Sequence, residues 1–214
     1  ERHAQLIADP DRRVVVEGAR TRQREQHGTV GAEYLFGPDG LPPHYWGVSK
    51  EQLREFRQEV AAAIADGTLS NPHGNDPQHK FHYPPERFED RSIGPNMYQV
   101  TDQLLKPLAT KHPELPGVSY ALAHNLQAGG LRCDLFFSHV WSEGVYEFID
   151  HALEHWPDGC EGAYICTLSN PQGLDIGKLL GTEPRASPFY KVLHAEPRPC
   201  MLMLANQFTP IHTR

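Results

Sequence analysis

Hydrophobic positions are spaced very differently in different parts of this chain, and the spacing predicts the elements. Leu135, Phe136 and Phe137 form an uninterrupted apolar run between Asp134 and Ser138, too short for a helix and typical of a strand covered on both faces. Ser138 to Gly144 break the run. Val145, Phe148, Ile149, Ala152 and Trp156 then recur at three- and four-residue spacing, the pattern of one face of a helix, which Pro157 ends. The same grammar follows downstream. Ala163 to Leu168 predicts a second buried strand, Ser169 to Gly173 a turn, and Ser187 to Ala195 a short helix with Ser187 as cap and Pro188 at its first position. Cys200 to Ala205 predicts a third strand, and strands alternating with helices imply a parallel, right-handed sheet.

Upstream, the pattern is more helical. Lys50 to Asp66 carries a stripe of Leu53, Phe56, Val60 and Ile64, opened by a capping box of Ser49 and Gln52 and closed by Gly67. Asn96 to Thr110 carries Met97, Val100, Leu104, Leu105 and Leu108 on a second stripe that Pro107 should kink. Val118, Tyr120 and Leu122 alternate with small or polar residues, which predicts a strand ending near Asn125, and Gln127 to Gly130 a turn. Glu1 to Gly31 is charged and irregular apart from a strand-like Val14 to Val16. The fold expected is therefore α/β, with a flavodoxin-like parallel sheet of at least three strands and helices on both faces. Residues 1–116 form a helical, loop-rich elaboration and residues 117–214 the α/β domain proper.

The loop from Ser138 to Glu143 sits at the carboxyl end of a strand, where open α/β sheets place ligands. Ser138, His139, Trp141, Ser142 and Glu143 are thus either the address of a site or only the cap of the following helix, through Ser142 or Glu143. These residues resemble a family. The order D-L-F-F-S-H, a helix, Y-I-C-T-L-S-N-P-Q-G-L-D-I, a helix beginning S-P-F, and M-L-M-L-A-N looks like the first half of a Toll/interleukin-1 receptor (TIR) domain. Asp134, Phe136 and Ser138 match its D-x-F-x-S box. Pro171, Gly173 and Ile176 match its Pro-Gly-x-x-Ile loop loosely, since Gln172 intervenes. The S-H-x-W-x-E and L-S-N-P-Q segments look much like those of divergent TIR-like proteins of dinoflagellate algae.

The resemblance spans roughly Leu131 to Arg214 and implies two outcomes. Catalytic members cleave NAD with a glutamate in a W-C-x-x-E motif after the third strand, and the sequence ends at Arg214, where that motif would begin. The expectation is a non-catalytic TIR-like module, an accessory or scaffold subunit of a larger assembly, in plastid or cytoplasm and even at a photosynthetic complex. Its protein partner would meet the apolar edge strand Cys200 to Ala205 or the aromatic loop Tyr34 to Trp46, although packing within the chain is the preferred role of that loop. The alternative is an NAD-cleaving or nucleotide-binding enzyme, with nucleotide held by Ser138, His139, Trp141, Ser142, Pro171, Gly173 and Ile176. Glu143 would then stabilise charge at the ribose.

Composition narrows the classes further. In 214 residues a net charge of -7, with no basic stripe, argues against a nucleic-acid binder. No apolar run is long enough to span a membrane, which predicts a soluble or peripheral protein. The four cysteines, Cys133, Cys160, Cys166 and Cys200, read as reduced thiols of a reducing compartment, three of them in or beside buried strands. No metal is expected. His79-x-x-His82 lacks a third ligand, and the H-x-x-E-H pattern of His151 and His155 lies on the polar flank of a helix without a further motif to complete it. Ser138, His139 and Asp134 are too close along one strand to converge as a triad, and no G-x-S-x-G elbow is present.

Overall fold

A computed structural model describes residues 40–112, 115 and 117–206. The apolar run predicted as the central strand is β2, Leu135–Ser138. It lies between two parallel neighbours, β3 (Gly162–Ile165) and β4 (Cys200–Met203), and a short antiparallel strand, β1 (Val48–Ser49), pairs with the outer side of β3. The order is β1-β3-β2-β4, and Leu135 stands level with Ala163 on one side and Cys200 on the other.

Because successive strand residues point to opposite faces, Leu135, Phe137, Ala163 and Ile165 belong to one hydrophobic core, while Phe136 and Tyr164 belong to another. The first core is filled by α1 (Lys50–Ala65) and α3 (Val145–Glu154). The second is closed by α4 (Pro188–Leu193), which contributes Val192 and Phe189, the latter edge-on to both rings. Helices thus cover both faces of an α/β sheet, as the sequence pattern predicts.

Helix α1 forms where its signals lie. The Ser49 hydroxyl accepts from the Gln52 N–H at 3.1 Å, and the Gln52 side chain accepts from the Ser49 N–H at 2.9 Å. Leu53, Phe56 and Val60 are buried, and Ile64 is half-buried at the edge of the stripe. Arg57 grips Asp150 of α3 through two bonds of 2.7 and 2.8 Å, tying the two helices together across their exposed rims.

Helix α3 buries Val145, Phe148, Ile149 and Ala152 as expected, but its cap is not Ser142 or Glu143. Gly144 is the N-cap, and it makes no side-chain cap bond. The free N–H groups of the first turn go instead to main-chain carbonyls of a neighbouring loop: Val145 N–H to Pro95 O at 2.8 Å, Tyr146 N–H to Ile93 O at 3.0 Å. That loop approaches so closely that a Cβ at position 144 would collide with the Ile93 carbonyl oxygen. Backbone capping leaves the Glu143 side chain free to turn back toward β2.

Several expectations change. Val118 to Leu122 is not a strand: Ser119 caps a helix, α2 (Tyr120–Asn125), accepting from Leu122 N–H at 3.2 Å. The apolar alternation of Val118, Tyr120 and Leu122 is misleading, because Ser119 and Ala121 between them are buried as well. The Asn96 to Thr110 segment is broken into Met97–Val100, a wide π turn Thr101–Leu105 and Leu108–Lys111, with the π turn just before Pro107, which has no N–H to give. Strand β3 stops at Ile165 rather than Leu168, because Cys166–Ser169 winds into one helical turn. On the open edge, β4 exposes Met201 and Met203, and Cys200 is exposed rather than buried.

Val14 to Val16 and Tyr34 to Asp39 lie outside the described residues. The described remainder of the aromatic loop packs inward: Trp46 is fully buried, its indole N–H bonded to Leu41 O at 2.9 Å, so its ring is not a partner surface. Among the described residues no helix is long and apolar enough to cross a membrane.

Candidate functional site

Parallel pairing brings the carboxyl ends of β2 and β3 side by side. Phe137 is level with Ile165, so His139, just past the end of β2, and Cys166, the residue after β3, meet although 27 positions separate them. The His139 Nε2 atom lies 3.4 Å from Cys166 Sγ. Its Nδ1 lies 2.9 Å from Glu143 Oε1, within reach because the loop between β2 and α3 doubles back, with Glu143 N–H on Val140 O at 3.2 Å. Cysteine, histidine and glutamate therefore stand in a row, the order in which a nucleophile, a base and an orienting carboxylate would be needed.

Each member is held in place by neighbours. The His139 ring is 2% exposed and rests on Phe148, 4.6 Å between ring centres. Glu143 is equally buried, and Asn206, just after β4, donates to its second oxygen at 3.4 Å. Cys166 is partly exposed. Its backbone carbonyl accepts from the Gln172 side-chain amide at 3.0 Å, and the Trp141 indole N–H points at its sulfur from 3.3 Å. Ser169 Oγ accepts from Ile165 N–H at 3.0 Å and Tyr164 hydroxyl donates to Asn170 at 2.6 Å, which fixes the turn that carries the thiol.

The electrostatics follow from this geometry. A carboxylate only accepts hydrogen bonds, so the Nδ1 facing Glu143 carries a proton, and Nε2 is left to exchange a proton with sulfur. Burial alone would pull the His139 pKa down, but the charge and hydrogen bond of Cys166, with those of Glu143, outweigh it and push it up to about 9. Burial drives the Cys133 thiol strongly upward, and that residue serves only packing.

A raised imidazole pKa has a defined effect on stability. The folded pKa of about 9 exceeds the ordinary 6.5, so the contribution is complete below pH 6.5 and fades as pH rises through 9. The melting temperature should therefore fall between those limits, and less so in Glu143→Gln. A flat profile in the unsubstituted protein would refute the charged pairing.

The residues expected at a site are distributed as follows. His139, Trp141 and Glu143 come together, whereas Ser138 ends β2, its carbonyl accepting from Leu204 N–H at 3.0 Å, and Ser142 is half-buried beside them. Pro171 is buried and Gly173 exposed, and Ile176 opens the helix Ile176–Leu180. Gln172, which interrupts the loop signature in the sequence, is the residue of that loop that touches Cys166. Glu143 serves His139 rather than an open cleft.

In the polar flank of α3 the His155 Nδ1 atom bonds the His151 carbonyl at 2.9 Å. His73 and His79 stack at 3.6 Å. Among the described residues no group of three His, Cys, Asp or Glu side chains is arranged to hold a metal ion. Beyond Asn206 lies an open depression of 620 Å³ walled by Asp90, Glu147 and Asp150, and Cys166 is not among its lining residues.

Cys166 is the member that sequence reasoning missed. Extending β3 to Leu168 placed it inside a sheet. The signal was the cluster T-L-S-N-P just beyond it, whose turn formers argue for a strand ending at Ile165. No family model matches the chain, and neither a curated protein nor a solved structure matches it.

Proposed function

We propose that this chain is a thiol-dependent enzyme of acyl transfer or hydrolysis, with Cys166 as nucleophile, His139 as general base and acid, and Glu143 as the carboxylate that orients the ring. The observation that carries the reading is the single imidazole bridging a buried carboxylate at 2.9 Å and a partly exposed thiol at 3.4 Å. A purely structural cluster needs no thiol at the accessible end.

In the proposed reaction the proton of Cys166 passes to His139 Nε2, and the sulfur lone pair attacks the carbonyl carbon of an ester, thioester or amide. The carbonyl π electrons move to oxygen and return as the bond to the leaving group breaks. That group departs with its electron pair and takes the proton from Nε2, leaving a thioester on Cys166. Water, or another acceptor, then attacks the thioester carbon, gives a proton to His139, and Cys166 leaves and is reprotonated. Trp141 N–H stabilises negative charge on sulfur, and Gln172 holds the backbone from which Cys166 projects.

The NAD-cleaving alternative would need the Glu143 carboxylate open to a ribose, and it is buried against His139 instead. The expectation of a protein-contact module draws its support from a different place, the exposed Met201 and Met203 of β4.

Alkylation tests the thiol reading without knowledge of the substrate. At pH 6 an ordinary cysteine is almost wholly protonated, while a thiol paired with imidazolium is not. Treatment with limiting iodoacetamide, followed by peptide mapping, should modify Cys166 about tenfold or more faster than the exposed Cys200. A Cys166 rate at or below that of Cys200 would overturn the proposal.

A further inference from the structure

The largest aromatic side chain exposed among the described residues near this site is Tyr98, 57% exposed, and it is placed against Trp141 with ring centres 5.3 Å apart and planes tilted by 56°. Trp141 is the same residue whose N–H reaches Cys166 Sγ at 3.3 Å. We infer that Tyr98 and Trp141 form a wall of the site and select substrates that carry a flat, uncharged aromatic or similarly apolar group beside the reacting carbonyl. The inference rests on the thiol reading and deepens it by naming the substrate class.

The wall is rigid, as a specificity element must be. Tyr98 stands in the turn Met97–Val100, which Asn96 and Gln99 lock with a reciprocal capping box at 2.9 and 3.1 Å. Met97 and Val100 are buried on the core side of that turn, so the helical step turns Tyr98 outward. Met97 N–H bonds the Trp141 carbonyl at 3.1 Å, and Asn96 bridges Gly144, so the loop bearing Trp141 and the turn bearing Tyr98 are one backbone unit.

Tyr98 packs on Trp141 yet leaves more than half of its surface to solvent. Its ring covers little of the core, and among the other large exposed apolar side chains Phe81 has its own Lys80 partner, while Met201 and Met203 lie on the β4 edge. Two tilted rings make a corner into which a third ring fits by stacking on one face and meeting the edge of the other. The charged residue nearest to Tyr98 along the chain, Asp102, is paired with Lys106 at 2.7 Å and so offers no lone charge to an ionic group.

Paired alkylating agents test this on the intact protein. Iodoacetamide and its N-phenyl analogue, iodoacetanilide, react by the same displacement: sulfur forms a bond to the methylene carbon and iodide leaves with the electron pair. Cys200 in the same digest corrects for their intrinsic difference. With that correction, iodoacetanilide should modify Cys166 about 3- to 10-fold faster than iodoacetamide. Tyr98→Ala should bring the ratio of the two corrected rates to about one, and Tyr98→Phe should keep the preference.

Slow reaction of Cys166 with both reagents would defeat the thiol reading, and the inference with it. Fast reaction with both but no preference, or a preference that survives Tyr98→Ala, would overturn the inference and leave the thiol reading standing.

Discussion

His139→Gln is expected to lower kcat/KM for a simple activated ester such as 4-nitrophenyl acetate by roughly 10²- to 10⁴-fold, the usual worth of a positioned general base. Glutamine keeps a donor that can reach Glu143, so the buried carboxylate is not orphaned and the fold should persist, which circular dichroism would check. What glutamine lacks is a group that takes the proton from sulfur and returns it to the leaving group. Cys166→Ser is the companion variant, since a serine hydroxyl in the same place is a far weaker nucleophile than a thiol. A fall of less than about tenfold in the histidine variant would mean that His139 holds the sheet ends together and does no chemistry.

The second large effect is on stability. Phe148→Ala should cost about 3–5 kcal/mol, read from the urea midpoint, because the ring is 1% exposed and meets Phe137 edge-on at 6.0 Å. The cavity would open directly beneath His139, whose ring centre is 4.6 Å from that of Phe148. Loss of support should slow Cys166 alkylation even under conditions where the variant remains folded, so the two readouts are coupled. A cost under about 1.5 kcal/mol would show that α3 can collapse onto the sheet and that the floor of the site is soft.

The framework was legible because its signals are local. Ser49 and Gln52, Ser187 and Pro188, and the spacing of Val145, Phe148 and Ile149 each specify an element without help from distant residues. The partial site was legible for the same reason, since His139, Trp141 and Glu143 fall in one loop at the end of a strand. What was not legible depends on contacts remote in sequence. Glu143 reads as a helix cap until Ile93 and Pro95 supply the carbonyls that make such a cap unnecessary. Val118, Tyr120 and Leu122 alternate like a strand, and only burial of the intervening Ser119 and Ala121 shows the segment to be enclosed on all sides. Cys166 joins His139 only through strand pairing, and a cysteine beside apolar residues looks the same whether it packs or reacts.

On the proposed thiol chemistry, the register that sets Phe137 beside Ile165 also decides when the molecule can react. In a chain that has not yet assembled its sheet, Cys166 and His139 are joined only by the 27-residue span between them, and holding the ends of such a span together costs about 3 kcal/mol of entropy before any contact repays it. A nascent or damaged molecule therefore carries an ordinary, sluggish thiol, and the reactive one appears only once β2 and β3 are paired. Reactivity at Cys166 would in this sense be a built-in report of completed folding.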